Sequence, residues 1–349
     1  MFGMTRALDL HASLLTLDSH IDIPWPDRED AFDDTTRRRV DFPKMARGGL
    51  SAGCFAAYIP QGPLTALGHA EAEQRTEAML DAIGGMAGTR NGLTAVICQS
   101  ADEIERAHAR GDLAVIPAIE NGYGIGEDPG RLALYRAQGA RYMTLTHNGH
   151  NALADAAIPR RDLGDAPTLH GGLSTLGRQA IAAMNRLGLL VDVSHAARTT
   201  MMQAVEHSAT PIVATHSCVR TLCDHPRNLD DAQIDALAAS GGLIQITAMP
   251  GFLRPRPTDG ERTVGVADFV DHIDYVVRRV GVAHVGISSD FDGGGAIMGW
   301  RDAGESASLT EELVRRGYDD SEIAAFWGGN FLRLLRQAEH VASGAHSAS

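Results

Sequence analysis

The sequence predicts an α/β chain whose parallel strands close into a barrel. Two observations predict it: eight short apolar runs alternate with segments of helical periodicity, and ionisable residues gather where those runs end. The runs are 14–17 (LLTL), 52–59 (AGCFAAYI), 113–119 (LAVIPAI), 141–146 (RYMTLT), 188–193 (GLLVDV), 211–215 (PIVAT), 242–247 (GLIQIT) and 284–288 (HVGIS). Most are rich in β-branched residues and apolar on both faces, which suits parallel strands covered on both sides. Between them, 69–87 and 174–188 show an amphipathic helical period, with Ser174 placed to cap the second and Gly188 to stop it. The segments 196–208, 230–240, 267–280 and 320–338 continue the series. Strand–helix alternation repeated eight times argues for a (β/α)8, TIM-like barrel. A doubly wound open sheet is the alternative. The run LTAVI (93–97), with a helix at 101–110, reads as an inserted strand–helix unit between strands two and three. No Pro-, Gly- or Ser-rich linker divides the 349 residues, so the chain reads as one domain, 1–349, with a flexible polar tail from about 340.

Composition narrows the partners. The formal net charge of −13 argues against nucleic acid or an anionic membrane. No stretch reaches the roughly 20 apolar residues of a membrane span. The start, MFGMTRALDLHASLLTLDSH, lacks the basic-then-apolar pattern of a signal peptide, so a cytoplasmic location is expected. Cys54, Cys98, Cys218 and Cys223 are scattered without a CxxC pair, which speaks against a disulfide framework or a cysteine zinc site.

The chemistry lies at the strand ends. Strand one runs into Asp18, His20 and Asp22; strand three ends in Glu120, four in His147, five in His195, six in His216 and eight in Asp290. In a parallel barrel those ends share one rim, the face where active sites sit. Any one of them alone would mean little, but six strands delivering a histidine or carboxylate to one rim point to a metal site. His20 and Asp22, two apart on an extended chain, face the same side and can clasp a divalent ion such as zinc. Taken alone, a turn histidine beside a capping aspartate explains them as well. Glu120 closes VIPAI, where a charge is costly unless compensated, and a bridging carboxylate there would hold two ions about 3.5–4 Å apart. An exposed loop glutamate is the bland reading. His195 and His216 are candidate ligands for a second ion, against the reading of satisfied core or capping histidines. Asp290, in ISSDFDGG, is suited to act as general base and then general acid, with Asp292 as a turn or supporting residue. No Ser-His-Asp order competes, and Cys218 reads as a packed thiol.

These motifs resemble the membrane (renal) dipeptidase family of zinc metallopeptidases, in the amidohydrolase superfamily. The resemblance runs through LDSHID near the start, PAIENG (117–122), LTHNGHNALAD (145–155) and the stretch 172–196 that ends VDVSHA. It continues through THS (215–217), HPRNLDD (225–231), GGLIQI (241–246), GISSDFDGG (286–294) and GGNFLRLL (328–335), covering most of the chain in order. It implies two zinc ions: the first on His20 and Asp22, the second on His195 and His216, with Glu120 bridging. It implies Asp290 as the proton-shuttling catalytic carboxylate and His147 as a catalytic and substrate-binding residue steadying the oxyanion. Arg227 would grip a dipeptide's C-terminal carboxylate as a planar fork. The resemblance also implies a homodimer and tolerance of a D-residue at the second position. The segment after strand seven, ITAMPGFLRPRPTDG, lacks the tyrosine that helps hold the substrate carboxylate in the renal enzyme, which leaves more to Arg227. The charged stretch 24–43 is expected on the pocket rim, where Arg37, Arg38 and Arg39 would meet an acidic substrate side chain unless they form a solvated loop. The leading expectation is a zinc-dependent dipeptidase acting on free dipeptides, L-Xaa-D-Xaa included. The alternatives are an N-acyl-D-amino-acid or other small-amide hydrolase on the same two-metal site and, from another class, a non-catalytic metal-binding barrel.

Overall fold

The computed structural model describes residues 2–24, 30–35, 37–255 and 263–347. Its strands are β1 (Leu17–Asp22), β2 (Ala52–Tyr58), β3 (Gly88–Arg90), β4 (Leu93–Ile97), β5 (Leu113–Glu120), β6 (Tyr142–Thr144), β7 (Leu190–Asp192), β8 (Val213–Ser217), β9 (Leu243–Thr247) and β10 (Val285–Ser288). Eight of them pair in the order β1-β2-β5-β6-β7-β8-β9-β10, every pair parallel. The ring closes just beyond β10, where Asp290 N donates to His20 O at 3.1 Å and Asp22 N donates to Phe291 O at 3.0 Å. The bonds that close the barrel therefore sit on the residues expected at the metal rim. This is the eight-stranded α/β barrel that the alternating pattern predicted, and the open sheet is excluded.

Two strand details differ from the sequence reading. The first strand covers LDSHID rather than 14–17, so His20 and Asp22 are strand residues and not residues beyond a strand's end. Polar residues can be buried there because Asp18 Oδ1 accepts the backbone N–H groups of Ser289 (2.9 Å) and His20 (3.2 Å). The inserted unit is larger than one strand and one helix. A short antiparallel hairpin, β3–β4, turns at Asn91-Gly92 and leads into the helix Ala101–Arg110. β4 pairs with the first half of β5, at Leu113–Val115, and β6 takes over at Ile119, so the insertion lies beside the barrel without opening it.

The helices follow their periodicity closely. The helix Thr175–Leu187 starts at Ser174, whose hydroxyl accepts Gly177 N at 2.9 Å, and stops at Gly188, whose φ of 69° a glycine adopts without a Cβ penalty. The last helix is Asn330–Ser347. In its first turns, Phe331 and Leu335 share a core cluster with Leu17, Ala52, Leu190 and Val213, the first residues of their strands, and so plug the barrel's N-terminal end. The opposite end is left open for the site. No helix of the described residues is long and apolar enough to cross a membrane. All four cysteines are buried and free.

His272 makes the fold sensitive to pH away from the rim. Its Nδ1 accepts Val219 N at 3.0 Å and its Nε2 donates to Leu253 O at 3.0 Å, tying together the loops after β8 and β9. Burial lowers its pKa from 6.5 to about 4. Between those values the unfolded chain binds a proton that the folded chain refuses, so stability is full above pH 6.5 and falls as pH drops toward about 4. The expected slope from this group is about 1.4 kcal/mol per pH unit. Urea unfolding between pH 7 and 5 should show a flatter pH dependence in His272→Gln than in the wild type; equal slopes would refute the assignment.

Candidate active site

Glu120 ends β5, a strand buried along its whole length, and its carboxylate lies in the barrel mouth. One oxygen, Oε2, is 3.6 Å from His20 Nε2. The other, Oε1, is 3.1 Å from His195 Nε2, 3.4 Å from His216 Nε2 and 3.9 Å from His147 Nε2. Asp22 Oδ1 is 3.3 Å from the same His20 nitrogen, and Asp290 joins His20 and Asp22 in a group of convergent ligand atoms. The two oxygens of one carboxylate thus face two different sets of side chains.

The hydrogen bonds on the far sides of the imidazoles fix which nitrogen carries the proton. Tyr142 Oη donates to Ser19 O at 2.9 Å, so at 2.8 Å from His20 Nδ1 it is left to accept. Thr215 Oγ1 donates to Asp192 Oδ2 at 2.7 Å and therefore accepts from His216 Nδ1 at 2.9 Å. Asn148 Oδ1, which can only accept, is 3.0 Å from His195 Nδ1. Each ring is a donor at Nδ1 and turns an Nε2 lone pair toward the carboxylates. His20 Nε2, His216 Nε2 and Asp22 Oδ1 are buried with no hydrogen-bond partner among the described residues. Neutral imidazole nitrogens facing carboxylate oxygens at such distances repel them unless a proton or a metal cation lies between, and a set of imidazole and carboxylate donors suits zinc and its neighbours. These residues fit a metal.

The electrostatics of the bare cluster agree. Burial and the charge of Glu120 raise the Asp22 carboxyl to about 6. Burial raises Asp290 well above the carboxylate range, although His20 opposes it. Burial pushes His216 down to about 3 and His195 well below the usual histidine value. His20 goes the other way: burial lowers it, but Glu120 and Asp22 outweigh that and raise it well above normal. Burial also works against Glu120's charge, yet His20 and His147 hold that carboxyl well below normal. Without cations the cluster offsets its negative charge with a proton; with cations it need not.

Strain is concentrated at the same place. His195 and Asp290 are non-glycine residues with φ of 66° and 57°. Gly293 is needed for room, because a Cβ there would lie 2.4 Å from Asp290 Oδ1 and 2.5 Å from Asp22 Oδ2. Asp292 supports a distant segment, accepting the backbone N–H groups of Arg39 (2.8 Å) and Val40 (3.3 Å).

A cavity of about 510 Å³ opens over the cluster, and Asp22, Glu120, His147, His195, Arg227 and Asp290 all line it. Arg227 is buried under the ring of Phe252, 5.4 Å from its centroid, and its Nη2 donates to His216 O at 3.2 Å. Its Nε has no partner, and no carboxylate lies within ion-pair distance among the described residues. Burial lowers its pKa to about 10, so it stays charged at neutral pH. It is a cation awaiting an anion.

The structure therefore brings together His20, Asp22, Glu120, His147, His195, His216, Arg227 and Asp290. His147 comes closer to the cluster than a residue leaning over it, within ligand distance of Glu120 and His195. The arginines at 37–39 are the exception: none lines the cavity, and Arg39 Nη1 donates instead to Arg301 O at 2.7 Å. Of the stretch 24–43, Pro24 lines the cavity, and residues 25–29 and 36 lie outside those described. Sequence reasoning missed Tyr142, Asp192 and Asn148, which orient the histidines, and Tyr58, whose ring stands edge-on to His147 at 4.7 Å. Asp192 left one signal, a carboxylate inside the otherwise apolar run GLLVDV.

Comparison with known proteins agrees with this geometry. The sequence pattern of the family described as membrane dipeptidase (peptidase family M19) matches residues 4–349. Dipeptidase aclJ of Aspergillus oryzae is 32% identical over 308 residues, 87% of this chain and 71% of that protein. Dipeptidase 3 of Mus musculus is 29% identical over 345 residues, 96% and 67%. Among solved structures, the probable dipeptidase PvdM of Pseudomonas aeruginosa superposes with a TM-score of 0.92 at 31% identity, covering 98% of this chain and 99% of the other. A metallo peptidase of Rhodobacter sphaeroides, liganded with a phosphinate mimic of the dipeptide L-Ala-D-Ala, gives a TM-score of 0.80 at 25% identity, covering 93% and 99%.

Tyr142→Phe removes the acceptor that orients His20 while leaving the ring in place. It should weaken metal binding by about 10–100-fold in a chelator-competition titration; an unchanged affinity would mean that Tyr142 is packing only.

Proposed function

The chain belongs to the membrane dipeptidase family, and from that premise we propose that it is a two-zinc dipeptidase that hydrolyses free dipeptides, L-Xaa-D-Xaa among them. The observation that carries this reading is Glu120, whose two oxygens face separate imidazole sets. His20 and Asp22 would hold one ion, His195 and His216 the other, with Glu120 shared. When bound, the metal pair supplies Lewis-acid activation of water and of the scissile carbonyl.

The chain's own groups do the rest. Arg227 takes the C-terminal carboxylate of the substrate, which ends the peptide at that wall and fits the cavity's limited size. Asp290, beside His20 and Asp22 on the cavity floor, takes the proton of the attacking water on a carboxylate oxygen and returns it to the leaving amine. His147 steadies the oxygen that gains charge on the scissile carbonyl. Hydrogen bonds behind His20, His216 and His195 keep those three rings from reorganising as charge develops. The ligand of the Rhodobacter sphaeroides relative supports acceptance of a D-residue at the second position.

The test is a library of L-Xaa-L-Xaa and L-Xaa-D-Xaa dipeptides on zinc-reconstituted protein, read by release of free amino acid. Free dipeptides should be cleaved, and Asp290→Asn should lower kcat by about 10²–10⁴ while KM changes little. Cleavage of N-acyl analogues in preference to free amines would favour the amidohydrolase alternative. No cleavage of any dipeptide would end the proposal.

A further inference from the structure

Arg227 offers a substrate carboxylate only part of what it needs. A carboxylate accepts through two oxygens, with about four lone-pair sites. The Arg227 fork is partly engaged already, because Nη2 donates to His216 O at 3.2 Å. In a wall screened from water, lone pairs without a donor are costly. The loops after β8 and β9 bring His225, Arg227, Met249 and Phe252 to the cavity. The side chains of Met249 and Phe252 carry no N–H or O–H group, so His225 is the other side-chain donor on that wall.

The loop fixes how His225 is presented. Arg227 N donates to His225 Nδ1 at 3.2 Å, so that nitrogen accepts and carries no proton. Burial and the neighbouring Arg227 guanidinium hold the ring below the usual histidine pKa, which keeps it neutral near neutral pH. Its one proton is therefore on Nε2, and that N–H has no hydrogen-bond partner among the described residues. The His225 ring lies on Phe252 with centroids 4.4 Å apart, and the Arg227 guanidinium stands 5.4 Å from the centroid of the same ring. Asn228 Nδ2 holds the two loops together by donating to Cys223 O and Phe252 O, both at 2.8 Å. Nearby charges do not compete for the ring. Arg220 donates to the His225 carbonyl through Nε (3.2 Å) and Nη2 (3.1 Å), and Asp224 is exposed, 3.8 Å from Arg220 Nε.

We infer that His225 is a substrate-binding residue beside Arg227, whose Nε2 donates a hydrogen bond to the C-terminal carboxylate of the dipeptide. This rests on the dipeptidase reading above. The carboxylate then meets two donors of different kinds, a charged fork and a neutral imidazole, both seated on one aromatic ring. The pair makes this wall selective for a free carboxylate over an amide, and so for the end of a peptide.

The experiment measures kcat and KM for L-Ala-L-Ala in the zinc-reconstituted wild type, His225→Asn and His225→Gln. L-Ala-L-alaninamide is the control, scored as substrate or, if it is not turned over, as competitor. Asn keeps an acceptor for Arg227 N but no donor at the Nε2 position, whereas Gln keeps a donor there. A hydrogen bond to a charged group corresponds to about a tenfold effect or more. His225→Asn should raise KM for L-Ala-L-Ala by that factor with kcat little changed, and should weaken the amide clearly less. His225→Gln should keep most of the wild-type KM. An unchanged KM in His225→Asn overturns the inference. So does an equal loss for dipeptide and amide, which marks a structural defect, or a loss in His225→Gln as large as in His225→Asn, which assigns the ring to packing on Phe252. If dipeptides are cleaved and these differences are absent, this inference alone fails; if none is cleaved, the dipeptidase reading fails with it.

Discussion

Glu120 holds a carboxylate, buried at the end of β5, between imidazole nitrogens whose protons point the other way. An ionised group in such a place costs several kcal/mol unless something compensates it. His20 Nε2, His216 Nε2 and Asp22 Oδ1 have no hydrogen-bond partner among the described residues. The proposed cation on each side of the carboxylate would satisfy all of these at once.

The scaffold and the site are held by the same bonds. The barrel closes through His20–Asp290 and Asp22–Phe291 backbone pairs, so closing the sheet also sets the distance between these side chains. Asp192 accepts from Thr144 Oγ1 (2.6 Å), Ser194 N (3.0 Å) and Thr215 Oγ1 (2.7 Å), joining β6, β7 and β8 beneath the histidines. That over-determination is what allows His195 and Asp290 to persist at positive φ. Plugging the far end with the last helix leaves one face of the barrel free to be polar.

Much of this was legible in the chain. Apolar runs of strand length separated by helical periodicity gave the barrel, because burial on both faces leaves a continuous apolar signature. The convergence of the candidate site residues was legible because parallel strands deliver their ends to one rim, so position along the chain carried spatial information for Glu120, His147, His195 and His216. What the sequence did not disclose is lateral. Tyr142 reads as one more buried residue of RYMTLT, and only the neighbouring strand shows that its hydroxyl receives His20. β1 was displaced because a strand full of polar residues departs from the apolar pattern, and its partners lie some 270 residues away, at Ser289. The sequence left two readings open for the arginines at 37–39, because local charge says nothing about which way a loop turns; Arg39 turns to Arg301 O.

The central claim is that Glu120 is shared between two cations. The direct measurement is metal content per chain after zinc reconstitution and removal of excess metal, for the wild type and Glu120→Gln. The wild type should retain about two ions and the variant one or fewer, since removing the shared charge weakens both sites. A wild type that holds a single ion, or a variant that keeps both with unchanged affinity, would contradict the account.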